Sequence, residues 1–420
     1  MDRVAVLLAG FTALALPHQS AVAQAAPAGA SSAAKRAGAL PDWIDVALDT
    51  RYRYEYVEQD DFDLDAHAST LRLRFGAKVD PIDKVSLHVE GETIVHLGPD
   101  KFNDTANNVM NRPIVADPED VLLNQAYVRF KPHLGLEVTA GRQTINYDNQ
   151  RWVGSVGWRQ NDQTLDAVAG SVEKVGNTGI SANYAYAWRV NRVFGPDSPQ
   201  GIWRDNDIHL LRIAKDIGEL GSLVTYGYWF DIPEAPPLSN RTFGARFTGR
   251  HGVAGGLSAV YALEFARQFD AGRNPVSDSH DYLLMEPGFG FGPASVRFGY
   301  ERLGGNGASA LQTPLATLHA FNGWADKFLV TPPTGLRDLY LDAAYQVEER
   351  RGFLSATTFR VVYHDFRSTT DDLHYGREWN ALVSRRLFGS VSLTLKLAHY
   401  DAVDFAADTT KGWVQIDARY

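Results

Sequence analysis

Long alternating segments, beginning at Trp43, constrain the fold of this chain more than any other feature of its sequence. In the first segment one parity reads Ile44, Val46, Leu48, Thr50, Tyr52, Tyr54 and Tyr56, and the other reads Asp45, Ala47, Asp49, Arg51, Arg53 and Glu55. Because successive side chains of a strand face opposite sides, this pattern predicts a long strand with one apolar face, ending in tyrosines, and one charged face. The alternation recurs at 71–79, 180–190 and 339–348, between turn clusters such as PDSPQG and FRSTTDD.

Strands that each keep one charged face cannot all bury that face in a packed core, because unpaired charges there cost too much free energy. A closed barrel with lipid outside and a water-lined lumen inside solvates the charged faces and pairs every backbone group. The sequence therefore predicts an all-β fold, a transmembrane antiparallel β-barrel of the bacterial outer membrane with about 18 strands.

The chain ends agree with export to the outer membrane of a Gram-negative bacterium. Residues 1–23 have a basic start, an apolar run and a small-x-small end at Ala21-Val22-Ala23, which predicts a signal peptide. Residues 24–41 are small and low in complexity, so we expect a flexible linker followed by a single barrel domain at 42–420. The final segment alternates up to the terminal Tyr420, and a last strand closing in an aromatic is typical of barrels inserted into this membrane.

Composition excludes several classes of function. The chain has no cysteine and a formal net charge of −9, which removes thiolate metal sites and gives no support for nucleic-acid binding. No serine lies in a G-x-S-x-G context, and the histidines are scattered on strands, so we expect no catalytic residues and no cofactor. No segment has calcium-loop spacing, so no metal ligands are predicted, and loop-bound calcium stays an open alternative.

The segment GRQTINYDNQRWVGSVGWRQNDQTLDAV at 141–168 joins two strand patterns through a connection too long for a tight turn. Two placements are open for its centre at 146–163. It either folds back into the lumen and holds Arg151 and Arg159 there, or forms an ordered extracellular loop. The segment at 319–336 lacks alternation, and two interpretations are open for it. It is either a long extracellular or in-folding loop with Trp324, Asp326 and Lys327 as candidate contacts, or a loop that packs its aromatics against the rim, which we favour slightly.

Together with LLNQAYVRF at 122–130, YAYAWRVNRVFG at 184–195 and the later 313–340, this segment resembles the alginate export outer-membrane proteins. The resemblance implies an 18-stranded barrel that passes a mannuronate-rich polyanion outward through an arginine-lined constriction. It also implies accessory periplasmic and inner-membrane partners, and it favours the lumen for 146–163.

Arginine suits such a polymer because its planar donors match carboxylates and it stays charged. The predicted pore-lining, substrate-binding residues are Arg51, Arg53, Arg72, Arg74, Arg129, Arg142, Arg151, Arg159, Arg189 and Arg360. Two alternatives stay open: the arginines form a salt-bridge lattice with acids of the same faces, or the barrel is a diffusion porin for small sugars or acidic solutes. A polyanion channel with an acidic total would have to separate its charges.

Overall fold

A computed structural model describes residues 40–133, 135–173, 175, 178–253, 255–347, 352 and 354–420, and in these residues the chain forms one antiparallel β-barrel. The predicted signal peptide at 1–23, and all but the last two residues of the predicted linker at 24–41, lie outside the described residues.

The barrel is built from strands that follow one another around the wall in chain order. The strands are β1 (Ile44–Gln59), β2 (Ala66–Ile82), β3 (Val85–His96), β4 (Asp120–His133), β5 (Leu136–Gln143), β6 (Thr164–Val172), β7 (Ile180–Asn191), β8 (Ile202–Trp203), β9 (Asp207–Asp216), β10 (Ser222–Asp231), β11 (Asn240–Gly252), β12 (Leu257–Asp270), β13 (Ser279–Phe291), β14 (Ala294–Leu303), β15 (Leu336–Gln346), β16 (Thr357–Arg367), β17 (His374–Phe388), β18 (Val391–Ala402) and β19 (Thr409–Arg419). Single 3₁₀ turns lie at Gly218–Leu220, Pro236–Leu238 and Leu318–Ala320.

The barrel closes because β1 pairs with β2 on one side and with β19 on the other. The two-residue β8 pairs only with the end of β7, and β7 itself pairs with β9, so the wall has 18 strands. The prediction of about 18 strands is confirmed. Closure leaves no sheet edge, which satisfies the backbone groups that lipid cannot solvate.

Strand connections are long at one end of the barrel and short at the other. The long ones include loop L3 (residues 144–163) and loop L7 (residues 304–335). Barrels of this type keep short turns on the periplasmic side, so L3 and L7 start from the extracellular end. No helix in the described part of the chain is long and apolar enough to cross a membrane.

The predicted alternation is confirmed in the burial of the strands. On β1 and β2, Arg53 and Arg72 are fully buried, whereas Phe75 on the opposite face is 60% exposed. Exposed apolar side chains continue around the barrel, for example Leu339 on β15 and Trp379 on β17. The outer face is therefore apolar and the inner face polar, as a membrane barrel requires.

The inner face divides into two unlike walls, and L3 and L7 lie between them. On β10 the wall is aromatic, with Tyr226, Tyr228 and Phe230 packed in one cluster with Trp152 of L3 and Leu315 of L7. On β1, β2 and β19 the wall is charged. The two loops thus lie inside the lumen and contact both walls.

Candidate functional site

Four of the predicted arginines form a cluster on the charged wall, where β1 meets β2. The strand register sets Arg51 directly opposite Arg72. Like charges in such positions repel, but each arginine has a carboxylate beside it. Arg51 Nε donates to Asp417 on β19 at 2.8 Å, and Arg72 donates to Asp49 on β1.

Loop L3 lies directly on this cluster with its peptide carbonyls toward the guanidiniums. Arg51 Nη1 lies 3.0 to 3.3 Å from the carbonyl oxygens of residues 157, 158 and 159. Arg53 donates to the Trp158 carbonyl, and its guanidinium carbon lies 4.2 Å from the centre of the Trp158 ring. Arg72 and Arg74 both donate to the Gln160 carbonyl, Arg74 at 3.0 Å. Backbone oxygens therefore accept the guanidinium hydrogen bonds that a carboxylate ligand would accept.

The acids of this wall are interleaved with the cations. Arg74 contacts Glu92 of β3 and, at 2.8 Å, Asp162 of L3, and Arg53 lies 3.5 Å from Asp117. Around L3 the cations are Arg51, Arg53, Arg72, Arg74, Arg159, Lys396, Lys411 and Arg419, and the acids are Asp49, Glu55, Glu92, Asp117, Asp162, Asp326 and Asp417. Charges of the two signs are therefore nearly balanced within the wall rather than separated.

The two arginines of L3 itself form ion pairs with opposite sides of the barrel wall and hold the loop in place. Arg159 donates to Glu55 on β1 at 3.2 Å, and Arg151 donates to Glu301 on β14 at 2.7 Å. Between them, Trp152 Nε1 donates to Glu264 on β12 at 2.7 Å. Of the two placements open for 146–163, the structure shows the first: the segment folds back into the lumen.

Loop L7 also lies inside the barrel, so the interpretation that 319–336 packs against the rim is wrong. The backbone N–H groups of Trp324 and Ala325 donate to Glu378 on β17. Gly323 makes this approach feasible, because its φ is +86° and a Cβ there would overlap the Glu378 carboxylate. These two backbone donors offset the cost of burying the Glu378 carboxylate, which favours the inward position of the loop over a position at the rim.

Asp326 of L7 joins both loops to the charged wall. Its carboxylate accepts from Lys411 of β19 at 2.8 Å and from Arg159 of L3 at 3.2 Å. His319 Nδ1 lies 2.6 Å from the same carboxylate. Burial lowers the pKa of His319 well below its usual range, so the ring is neutral and donates to Asp326 through Nδ1.

Lys396 of β18 lies at the centre of this group and was not among the predicted residues. Its ammonium is 2.5 Å from His319 Nε2, and 4.0 and 3.9 Å from the ring centres of Trp158 and Trp324. A cation held between aromatic faces is attracted by their electron-rich surfaces. The parity of β18 contained the signal, since Lys396 stands between the outward residues Leu395 and Leu397.

Two further predicted residues lie on the inner face away from the cluster. Arg129 on β4 pairs with Glu137 at 3.0 Å, near the periplasmic end. Arg360 on β16 binds both oxygens of Asp342, at 2.9 and 3.0 Å. Arg360 also lines a cavity of about 90 Å³ below L7, together with Tyr340 and Trp324. In the part of the chain that the structure describes, no three His, Asp or Glu side chains are grouped to hold a metal ion.

The prediction that Arg142 and Arg189 line the pore is wrong, because both lie on the outer face. Arg142 shares its parity on β5 with Ala140, which is opposite the exposed Val168. Arg189 would face inward in a regular strand, but Trp188 is an extra, bulged residue of β7 opposite the step from Asp166 to Ala167, and it reverses the parity at the end of β7. Both arginines contact Asp166, at 2.7 and 3.8 Å.

In the comparison with known proteins, a family model matches part of the chain, and solved structures match about nine-tenths of it. The family model described as alginate export matches residues 42–190, which contain nine of the ten predicted arginines. None of the curated proteins compared with this chain matches its sequence.

Solved structures similar to this one are outer-membrane barrels of Pseudomonas aeruginosa and Acinetobacter baumannii. The outer membrane protein OpdK of P. aeruginosa aligns with a TM-score of 0.63 and 12% identity over 90% of this chain and 98% of that one. P. aeruginosa OpdL aligns with a TM-score of 0.67 and 14% identity, over 91% of this chain and 99% of that one. OccAB3 of A. baumannii aligns with a TM-score of 0.69 and 12% identity, over 90% and 99%. Residues 42–190 thus match the alginate export family, and the described part of the chain has the fold of an outer-membrane β-barrel channel of a Gram-negative bacterium.

Proposed function

We propose that this barrel passes carboxylated sugars, with an alginate-like polyuronate as substrate, along the arginine cluster beneath L3. The observation that carries the proposal is the contact between the cluster and the loop, in which Arg51, Arg53, Arg72 and Arg74 all donate to carbonyls of L3. The match of 42–190 to the alginate export family supports the same substrate class.

For passage, a substrate must take over the guanidinium hydrogen bonds that the L3 carbonyls now accept. A uronate carboxylate presents two oxygens to a guanidinium fork and binds it more strongly than a neutral carbonyl does. When L3 moves off the wall, successive carboxylates of a polymer replace the carbonyls of residues 157–160. Trp158 and Trp324 offer flat apolar faces for the pyranose rings between carboxylates. Export of a polymer would also need periplasmic components, as the family resemblance implies.

A second candidate function is diffusion of small acidic solutes, and two observations favour it. The charges of the wall are nearly balanced, which weakens its attraction for a long polyanion. L3 and L7 both lie in the space between the two walls and narrow it. A small acid needs only a brief opening and one or two guanidiniums.

Single-channel recording separates the two functions. The barrel is refolded into a planar bilayer, and the current is titrated with oligomannuronates of increasing length, with glucuronate and with a neutral oligosaccharide. Polyuronate passage predicts that block strengthens with chain length, because each added carboxylate engages another guanidinium. Equal effects of glucuronate and the oligomers would favour the small-solute function.

The residue test uses a charge-neutral pair of substitutions. Arg51→Gln with Asp417→Asn removes one guanidinium and its 2.8 Å partner together, so no unpaired charge is left buried. We expect block by oligomannuronate to weaken about tenfold or more, since a hydrogen bond to a charged group contributes roughly 1.5–3 kcal/mol. The control is Arg129→Gln with Glu137→Gln, a charge-neutral change of an inner-face pair at 3.0 Å that lies away from L3, near the periplasmic end. Equal loss in both variants would contradict a role for the cluster.

A further inference from the structure

A row of arginines lies on the outer face of the barrel at the extracellular ends of β14, β15 and β16. The register sets Arg302 opposite Arg337, and Arg337 opposite Arg367. His374 at the start of β17 continues the row beside Arg367. Three guanidiniums on adjacent strands therefore face the same way at the same height.

The direction of the row is fixed by its neighbours along each strand. Arg302 shares its parity with Phe298, which is 53% exposed, and Arg337 shares its parity with Leu339, which is 59% exposed. Both of these apolar side chains face outward, so the arginines face outward as well.

A row of three aromatic residues and one leucine, the aromatic row, lies four positions below the arginines on the same face. It consists of Phe298, Leu341, Tyr363 and Trp379, which are opposite one another across β14 to β17. Aromatic girdles mark the interface between hydrocarbon and headgroups. Four residues along a strand span about 13 Å, or about 10 Å along the membrane normal at a strand tilt of about 40°, which places the guanidiniums above this interface, on the headgroup side.

The acids around the row do not neutralise it. Arg302 forms no ion pair with any residue that the structure describes. Arg337 has only Asp372, at 3.7 Å, and the carboxylate of Asp372 is 97% exposed. Arg367 shares the single carboxylate of Asp365 with His374 and Arg377, at 2.9, 3.1 and 3.5 Å.

Two more acids face this part of the barrel. Asp281 of β13 lies two positions beyond Leu283, which is opposite Arg302, and it pairs with Arg267 at 3.5 Å. Asp401 of β18 is opposite Arg377, one row below the arginines and displaced to one side. It therefore offers no partner to Arg302 or Arg337. Like charges directly opposite one another destabilise a sheet unless something neutralises them.

We propose that the row of Arg302, Arg337 and Arg367 binds the phosphate of an anionic lipid headgroup in the outer leaflet. The guanidinium fork matches phosphate geometry and holds it by paired hydrogen bonds. One phosphate between Arg302 and Arg337 relieves their repulsion and gives both a charged partner. The occupant is a lipid rather than a soluble anion, because the row faces the bilayer directly above the aromatic row.

The test compares lipid chemistry on matched variants of the full chain. Wild type and the triple variant Arg302→Gln, Arg337→Gln, Arg367→Gln are placed in nanodiscs of phosphatidylcholine, with or without lipid A or dephosphorylated lipid A. The readout is the rise in Tm that each lipid produces. The control variant is Arg241→Gln with Arg267→Gln, which removes outer-face arginines that are not opposite one another.

We expect lipid A to raise Tm in wild type and control, and the rise to fall by more than half in the triple variant. Dephosphorylated lipid A and inorganic phosphate should leave Tm unchanged. An undiminished rise in the triple variant, an equal rise with dephosphorylated lipid, or an equal rise with inorganic phosphate would each overturn the proposal. If the triple variant does not refold, the single change Arg302→Gln is used, because removing that guanidinium breaks no ion pair with a described residue.

Discussion

Two groups of arginines in this barrel have the same local register and opposite surroundings. In the inner cluster Arg51 is opposite Arg72, and in the outer row Arg302 is opposite Arg337. The inner pair is flanked by Asp417 and Asp49 and covered by carbonyls of L3, whereas Arg302 has no ion partner among the described residues. The two groups therefore differ in what neutralises their charge. Carboxylates and carbonyls of the protein neutralise the inner cluster, and we propose that lipid phosphate neutralises the outer row.

The largest expected difference between the two groups is in stability. Arg74→Ala should lower the free energy of unfolding by about 3–5 kcal/mol, because Glu92 and Asp162 would stay buried without their cation. Arg302→Ala in phosphatidylcholine should change it by about 0.5 kcal/mol or less, as an exposed substitution does. Urea unfolding of the barrel in vesicles measures both values, and equal losses would remove the distinction.

The next test removes the contact between the inner cluster and L3. Trp158→Ala deletes the ring that lies over Arg53 and Lys396, at 4.2 and 4.0 Å. Trp158 is half-buried, so its removal should cost less than the roughly 3–5 kcal/mol of a fully buried tryptophan; L3 should still leave the wall more often, and the single-channel conductance should rise. Trp229→Ala on the outer face is the control and should leave the conductance unchanged. A conductance that does not respond to Trp158→Ala would mean that L3 does not limit the lumen.

A smaller effect is expected where L7 meets the wall. Gly323→Ala adds a Cβ that overlaps Glu378, and it should loosen L7 and increase the open-channel current. Gly307 in the same loop has a similar φ of +91°, but a Cβ there would come no closer than 3.9 Å to another residue. Gly307→Ala therefore measures backbone strain alone. Identical currents in the two variants would show that the contact with Glu378 does not hold L7.

The smallest expected effect is a pH dependence from Lys327 in L7. Burial and the charge of Lys411 lower the pKa of Lys327 from 10.5 to about 8. Between about pH 8 and 10.5 the unfolded chain binds more protons than the folded one, so the stability of the folded state rises with pH in that window. In the folded protein the positive charge at this point of the lumen is lost around pH 8.

Anion selectivity of the current should therefore fall between pH 7 and 9 in wild type. Lys327→Met has no proton to lose and should show no such fall from this site. Reversal potentials in a salt gradient measure the selectivity at each pH. A parallel fall in both proteins would assign the dependence to another group.

Much of the fold was open to prediction because a strand has a period of two residues. That period located the barrel, about 18 strands and the inward side chains of β1 and β2. It failed at Arg189, where one bulge residue reverses the faces, and a bulge has no clear signal in a single sequence. Arg142 was predicted from the polarity of its neighbours in 141–168, although its parity matched the apolar side of β5.

Parity also held information that the prediction left unused. Lys396 and Lys411 lie on inward positions, and both are central to the lumen. The outer row could have been suspected from Arg302, Arg337 and Arg367 at the ends of alternating segments. Its register could not, because the alignment of three strands depends on their shared hydrogen bonds.

The sequence by itself determined that this chain forms an outer-membrane barrel with a polar lumen, since only a closed sheet with one face in lipid accommodates its alternation. The tertiary structure alone decided which charges meet. L3 and L7 have no periodic pattern, and their positions depend on single buried contacts such as Asp326 with Lys411 and Glu378 with the backbone of Trp324. These partners are distant in the sequence and come together only when the barrel has closed around the loops.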